Sequence, residues 1–368
     1  MGVEAVDTRE LLAALAADPE DRSAYEVYAD HLTQHGDPRG EWIAVQLARE
    51  DRPTDPALGM REDELRVAHE TAWIGGPAVL NAATREPTRT WRRGFVDVLE
   101  IDSEYESREA ASTYRDMIAL PAMQLVRELH LGVGRSYNGR GEVDTSILQA
   151  LHDVPPPATL RTLVFDCFDH DVSWTHLGEV ARANPAFAAI TQLRIAAGKI
   201  TLGSIHAPQL RSLELYTGGL RAQVLTDLRA AAWPVLERLT IYFGTPEYGG
   251  DCTIEDAQRI LDAPNLSRVT SLALCNSTFG DELAERILTG PIVPQLRRLD
   301  LSKSTFGDAG AVRLLQHAGR LDHLESLDLS ECYVSRPMVD ALLERLPQAD
   351  LNGQRIAGGY GRYVVVSE

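Results

Sequence analysis

Residues 296–323 read LRRLDLSKSTFGDAGAVRLLQHAGRLDH, and residues 324–346 follow at once with LESLDLSECYVSRPMVDALLERL, a second copy of one pattern. In each copy Leu-x-x-Leu-x-Leu specifies a short strand, because alternate side chains of a strand share a face. A turn containing Gly307 in one copy and Ser335 in the other leads into an amphipathic helix that ends near the next Leu-x-x-Leu. Such a unit cannot bury its apolar edge alone. It needs a neighbour on each side, so the rest of the chain is read as supplying them.

The pattern resembles the leucine-rich repeat. That resemblance implies an α/β solenoid, a curved parallel sheet with outer helices. The frame can be followed with its first position at Val96, Val126, Leu160, Ile190, Leu210, Leu236, Val269, Leu296, Leu324 and Leu346. Repeats of this class run about 20 to 29 residues, so the longer intervals predict inserted loops at 135–141, 169–176 and 244–251. The copies that begin at Val269 and Leu296 resemble the ribonuclease-inhibitor type, in which a true helix follows each strand. The ninth position, where many relatives place Asn or Cys to bond the turn, holds Cys332 but also Ser277, Ser304 and Gln354. A less regular ladder is therefore expected. Residues 363–366 (YVVV) have strand propensity and are expected to cap the open end of the sheet.

Ahead of the repeats the periodicity is helical. A first helix is expected from Asp7, with Asp7 and Glu10 as a capping box and Leu11, Leu12 and Leu15 as its apolar stripe. A second is expected over 22–35, stopped by Gly36, and a third opens at Asp37 and Pro38. Residues 52–59 read as a Pro-rich connection before a fourth helix over 61–73. The run Tyr28-Ala29-Asp30, Gly36 to Glu41 (GDPRGE) and Gln46 resembles the bacterial repeat-companion domain, a short module found ahead of such repeats. His31 departs from the aromatic usual in relatives, and WRRGF at 91–95 resembles the entry into repeats. The resemblance implies architecture and association with repeats, not a reaction. The expected division is a small all-α unit over 1–92 and the solenoid with its cap over 93–368.

The chain has 368 residues, 44% apolar and 24% charged, an ordinary composition for a folded protein. No stretch reads as a membrane span or a leader, and the four cysteines are widely spaced, so a cytoplasmic location with free thiols is expected. A net charge of −18 argues against a general nucleic-acid binder, and it reads either as plain solubility of a long solenoid or as a surface that favours a basic partner.

The framework leucines point inward, so the residues between them face out of the concave sheet. These are Arg194, Glu214, Tyr216, Arg238, Thr240, Tyr242, Phe243, Arg298, Asp300, Lys303, Asp328 and Ser330. Tyr216, Tyr242 and Phe243 with Arg nearby have the composition of a binding hot spot. The alternative is that loop 244–251 folds back and makes them local core. Asp300, Asp328 and Asp350 share one column. It reads either as a negative stripe for Lys or Arg of a partner, with Arg298 neutralising part of it, or as solvated filler of the LDLS pattern.

Chemistry-bearing motifs are sparse. Cys167, Asp169, His170, Asp171 and His176 gather metal-capable side chains but lack the paired spacing of a zinc site. GxSxG, HExxH and Walker-type motifs do not occur. The reading is a non-catalytic scaffold without cofactor or metal that binds a protein on its concave face, with neither nucleic acid nor membrane as partner. The alternatives are a regulator of a partner enzyme, such as a GTPase activator, or a toxin-neutralising protein, both by analogy of fold. The helical unit reads as a polar cap or as a second docking site through the loop at 35–39.

Overall fold

Capping chemistry sets the first elements of the computed structural model, which describes residues 8–76, 87–102, 107–134, 143–167, 172–359 and 361–367. Helices α1 (Thr8–Ala17), α2 (Arg22–Gln34), α3 (Arg39–Asp51) and α4 (Pro56–Trp73) form the N-terminal unit. The Asp7 cap falls outside the described residues. Asp21 caps α2 by accepting from Ser23 N and Ala24 N, and Gly36 beyond its end takes φ +74°. Helix α4 begins earlier than the expected residue 61. Asp55 accepts from Ala57 N at 3.0 Å and Pro56 occupies the first turn, so part of the expected connection is helix start.

Within the GDPRGE run Arg39 and Gly40 are buried, whereas Gly36 and Glu41 are exposed. Arg39 is buried, donates to Tyr28 Oη at 3.0 Å and lies over the Phe95 ring, which corrects the expectation of an exposed loop through Arg39. A Cβ on Gly40 would collide with Thr33 and with the Ala29 carbonyl, so α2 and α3 approach closely only with glycine there. Glu41 holds Arg61 of α4 through two hydrogen bonds, at 2.7 and 2.9 Å.

The unit is fastened to the sheet at its first hairpin. Strand β1 (Thr88–Arg92) pairs antiparallel with β2 (Phe95–Ile101). Phe95 joins the apolar cluster of Tyr25, Tyr28, Ile43 and Leu47, and Trp42 stacks on Trp73 and meets Trp91 edge-on. Gln46 accepts from Gly94 N at 2.6 Å, and Arg93 pairs with Glu50 at 2.7 Å.

From β2 onward the sheet is parallel: β3 (Glu128–Gly132), β4 (Thr162–Asp166), β6 (Gln192–Ala196), β8 (Ser212–Tyr216), β9 (Arg238–Gly244), β10 (Ser271–Ser277), β11 (Arg298–Asp300), β12 (Ser326–Asp328) and β13 (Ala349–Asp350). With β1 and β2 it has 11 strands in chain order among the described residues, while β5 (His176–Glu179) and β7 (Lys199–Thr201) form a separate pair. Val98, Glu128, Thr162, Gln192, Ser212, Arg238, Ser271, Arg298 and Ser326 lie side by side, each two residues after a frame position expected from the sequence.

Among the described residues seven helices return between strands: α5 (Ser107–Ile118), α6 (Ser146–Asp153), α7 (Ala222–Ala230), α8 (Ile254–Leu261), α9 (Gly280–Thr289), α10 (Asp308–Gln316) and α11 (Arg336–Arg345). Between β5 and β6 the return is a 3₁₀ stretch, Val180–Phe187. One continuous apolar core runs between helices and sheet from Val96 to Leu351. The chain is thus a leucine-rich repeat solenoid preceded by a small helical unit.

The turns refine the expectations. The ninth-position residues do bond the turns: Ser277 Oγ accepts from Phe279 N, Ser304 Oγ donates to Leu301 O, and Gln354 donates to Leu329 O and accepts from Val334 N. Short hydroxyls serve their own turn and the longer amide spans to the neighbouring repeat, so these turns keep a side-chain bond although strand length falls from seven residues in β10 to two in β13. Loop 244–251 folds along the rim, where Thr245 N donates to Gly218 O and Asp251 N to Leu220 O. Loop 135–141 and residues 168–171 lie outside the described residues.

Residues 363–366 do not extend the sheet. Edge strand β13 is only two residues long and offers few pairing groups. The segment 361–367 instead crosses the loops at the C-terminal ends of the strands, from Tyr333 past Lys303 and Asn276 to Ser173.

Candidate protein interface on the open face of the sheet

The helices cover one face of the sheet, and the third, fifth and seventh residues of each frame line the other. In the fifth column Glu100, His130, Val164, Arg194, Glu214, Thr240, Ala273, Asp300, Asp328 and Asp350 are in register. Strand pairing therefore sets Arg194 directly beside Glu214.

Arg194 is the centre of the patch. It donates to Asp166 at 3.0 Å and to Glu214 at 3.2 Å, and its guanidinium lies 5.3 Å from the centroid of the Tyr216 ring. Burial opposes its charge, but the two flanking carboxylates outweigh that and raise its pKa. Tyr216 and Tyr242 touch across the strands with ring centroids 4.7 Å apart. Both are half-buried, and burial pushes the Tyr242 hydroxyl well above the usual phenol range. Arg238 is exposed at the neighbouring third position.

Phe243 does not belong to this patch. It is buried at 2% exposure and packs edge-on against Phe279 at 5.1 Å. Next to Tyr242 on one strand, it must point to the opposite face. The rim loop 244–251 is bonded to residues 218–220, not laid across Tyr216 and Tyr242 as the local-core alternative requires.

The aspartate column is real and has an internal duty. Asp300, Asp328 and Asp350 accept from the backbone N–H two residues on, Ser302, Ser330 and Asn352, at 2.8, 2.8 and 2.9 Å. One oxygen of each therefore holds its turn. Burial raises the pKa of Asp300. Arg298 reaches Glu325 at 3.7 Å rather than serving as the expected neutraliser of Asp300. Lys303 bonds Glu331 of the next repeat.

Sequence reading missed Asp166, Cys275, Asn276 and Glu331. Cys275 is fully buried at the seventh position, its thiol 3.8 Å from Ser302 Oγ. Asn276, Lys303, Glu331 and Gly353 occupy one further column and share positive φ, +56°, +62°, +52° and +67°. Asn276 and Gly353 signal that backbone by residue type, whereas Lys303 and Glu331 do not. Among the described residues no group of acids, His and Cys is arranged to hold a metal, but residues 168–171 of the candidate cluster fall outside them. No helix among the described residues is long and apolar enough to cross a membrane.

No family model matches the chain, and no curated protein matches it. Among solved structures it is similar to a protein from Bacteroides fragilis, with TM-score 0.58 and 21% identity over 68% of this chain and 70% of that one. An internalin from Listeria monocytogenes gives TM-score 0.31 and 13% identity over 66% and 69% of the two chains. A chain of the mouse RP105/MD-1 complex gives 0.30 and 14% over 70% and 50%. The first is a likeness of fold alone.

Proposed function

We propose that this chain is a non-catalytic interaction scaffold whose repeats bind a protein partner on the open face of the sheet. The observation that carries the reading is the contiguous patch of Asp166, Arg194, Glu214, Tyr216 and Tyr242. Its charges are pre-positioned by one another, so a partner meets a rigid surface and less side-chain entropy is lost on binding. Tyr and Arg at the centre supply contact area and polar handles, the composition enriched at hot spots. Arg238, Arg298, Lys303, Asp300 and Asp328 set orientation around it, and the net charge of −18 favours a basic partner surface.

In this reading residues 1–92, with four helices among the described residues and strand β1 paired onto the sheet, are a cap of the repeat-companion type and 93–368 a solenoid with ribonuclease-inhibitor-like repeats, working in the cytoplasm. Supporting the cap role, Arg39, Gly40, Glu41 and Gln46 of the motif are all engaged within the unit or at Gly94. The test is affinity capture from native lysate with wild type and a Tyr216→Ala/Tyr242→Ala chain of matched thermal stability, followed by cross-linking to locate the contact. Retention by wild type alone, with cross-links to β6, β8 and β9, is expected. Equal retention by both chains moves the contact off this face and overturns the reading.

A further inference from the structure

The strap 361–367 is held in a way that ordinary packing does not require. Asn276 is fully buried and makes three side-chain hydrogen bonds, all to the strap: it accepts from Val365 N at 2.9 Å and Val366 N at 2.8 Å and donates to Val366 O at 2.5 Å. The Tyr333 hydroxyl receives Tyr363 N at 2.8 Å and donates to Tyr363 O at 2.9 Å. Val365 N also donates to Lys303 O at 3.2 Å, and Ser173 Oγ donates to Ser367 O at 2.7 Å. Every one of these bonds is to the strap's main chain. Its one ionic anchor is Arg362, which meets Asp281 at 3.0 Å and the Thr305 carbonyl at 2.9 Å.

Val364 is buried at 6% exposure while Val365 is exposed at 37%, the alternation of an extended chain. The Asn276 amide matches an extended main chain with both its oxygen and its nitrogen, so removing that chain forfeits three hydrogen bonds at once. We propose that the rim formed by Ser173, Asn276, Asp281, Lys303 and Tyr333 is a binding site for extended peptides, occupied in cis by residues 361–367. It reads the ligand's main chain, with a basic side chain at the Arg362 position and a β-branched one at the Val364 position as its selective features. This goes beyond the open-face reading, because the rim shares with it only Lys303, whose main-chain carbonyl and not its side chain meets the strap.

The probe is the acetylated, amidated peptide GRYVVVS, residues 361–367, titrated by calorimetry against a chain ending at residue 360. Saturable binding is expected, at least about tenfold weaker after Asn276→Ala because two or more hydrogen bonds are lost. The full-length chain is expected to bind at least about tenfold more weakly than the shortened one, since its own strap competes. Absence of binding to a cooperatively folding shortened chain, indifference to Asn276→Ala, or equal affinity of full and shortened chains each overturns the proposal. If the shortened chain does not fold, full-length Arg362→Ala replaces it. That substitution loosens only the resident strap, so it must raise affinity for the Arg-bearing peptide about tenfold or more, and no rise sinks the idea. An Arg238→Glu chain, altered on the open face, is expected to bind the peptide unchanged, which separates failure of this site from failure of the partner interface.

Discussion

Substituting Gly94 by Ala tests how the helical unit is joined to the repeats. Gly94 has φ +78°, where a Cβ strains the backbone by about 1–2 kcal/mol. The added methyl would also lie 2.8 Å from Ile43 Cδ1 and closer still to Cγ1, and Ile43 is fully buried beneath it. Overpacking of that kind costs about 1–3 kcal/mol, so Gly94→Ala should cost about 2–5 kcal/mol in all. Urea unfolding followed by tryptophan fluorescence reads this well, because Trp42, Trp73 and Trp91 stack at the junction. Ile43→Ala alone should cost about 2–5 kcal/mol through the cavity it leaves. In the double variant the new methyl enters that cavity, so the combined loss should fall short of the sum by at least about 1 kcal/mol. A Gly94→Ala cost under about 1 kcal/mol, or additivity within about 0.5 kcal/mol, would refute the close packing of α3 on the first hairpin.

Phe243→Ala should cost about 3–5 kcal/mol in denaturant unfolding yet leave partner capture intact wherever the variant is folded, as its ring faces the core; selective loss of capture at unchanged stability would contradict the inward placement. Arg194→Ala leaves Asp166 and Glu214 facing each other without their shared cation, so capture of the partner should weaken by about tenfold or more, and unchanged affinity in a quantitative binding assay would remove Arg194 from the interface. Burial holds the folded pKa of Asp300 above the ordinary aspartate value of 3.8. The folded chain then binds this proton more tightly than the unfolded one, so the residue's destabilising effect grows as pH rises through that window and is absent below it. Asp300→Asn should accordingly gain stability relative to wild type at neutral pH and lose that advantage on acidification; melting curves with a pH-independent difference would argue otherwise. Burial raises the Cys275 and Cys332 thiols, so both should resist a thiol reagent in the native chain and react once it is unfolded; rapid native labelling mapped to either would contradict the core assignment.

Much of the open face of the sheet was legible because the repeat frame is a counting rule. Once Leu296, Leu299 and Leu301 are recognised as one inward row, Arg298 and Asp300 must face out, and the same count placed Arg194, Glu214, Tyr216 and Tyr242 on the open face. Phe243 failed the same rule: as Tyr242's immediate neighbour it could not share its face. The left-handed turn column was half visible. Asn276 and Gly353 are residue types that tolerate positive φ, whereas Lys303 and Glu331 give no such signal, and their N–H groups donate to Ser330 O and Asn352 O of the next repeat.

By itself the sequence determined the solenoid, the ten frame positions and the helical unit ahead of them, because apolar periodicity and caps act over a few residues and repeat. Only the tertiary structure decided that Arg39 is an internal fastening, that Arg298 turns to Glu325, and that YVVV straps the rim instead of lengthening the sheet. In each case the partner lies far along the chain or on another repeat, such as Asn276 for Val366. Strand propensity specifies an extended backbone, but which buried donors and acceptors that backbone satisfies is settled by where folding brings them.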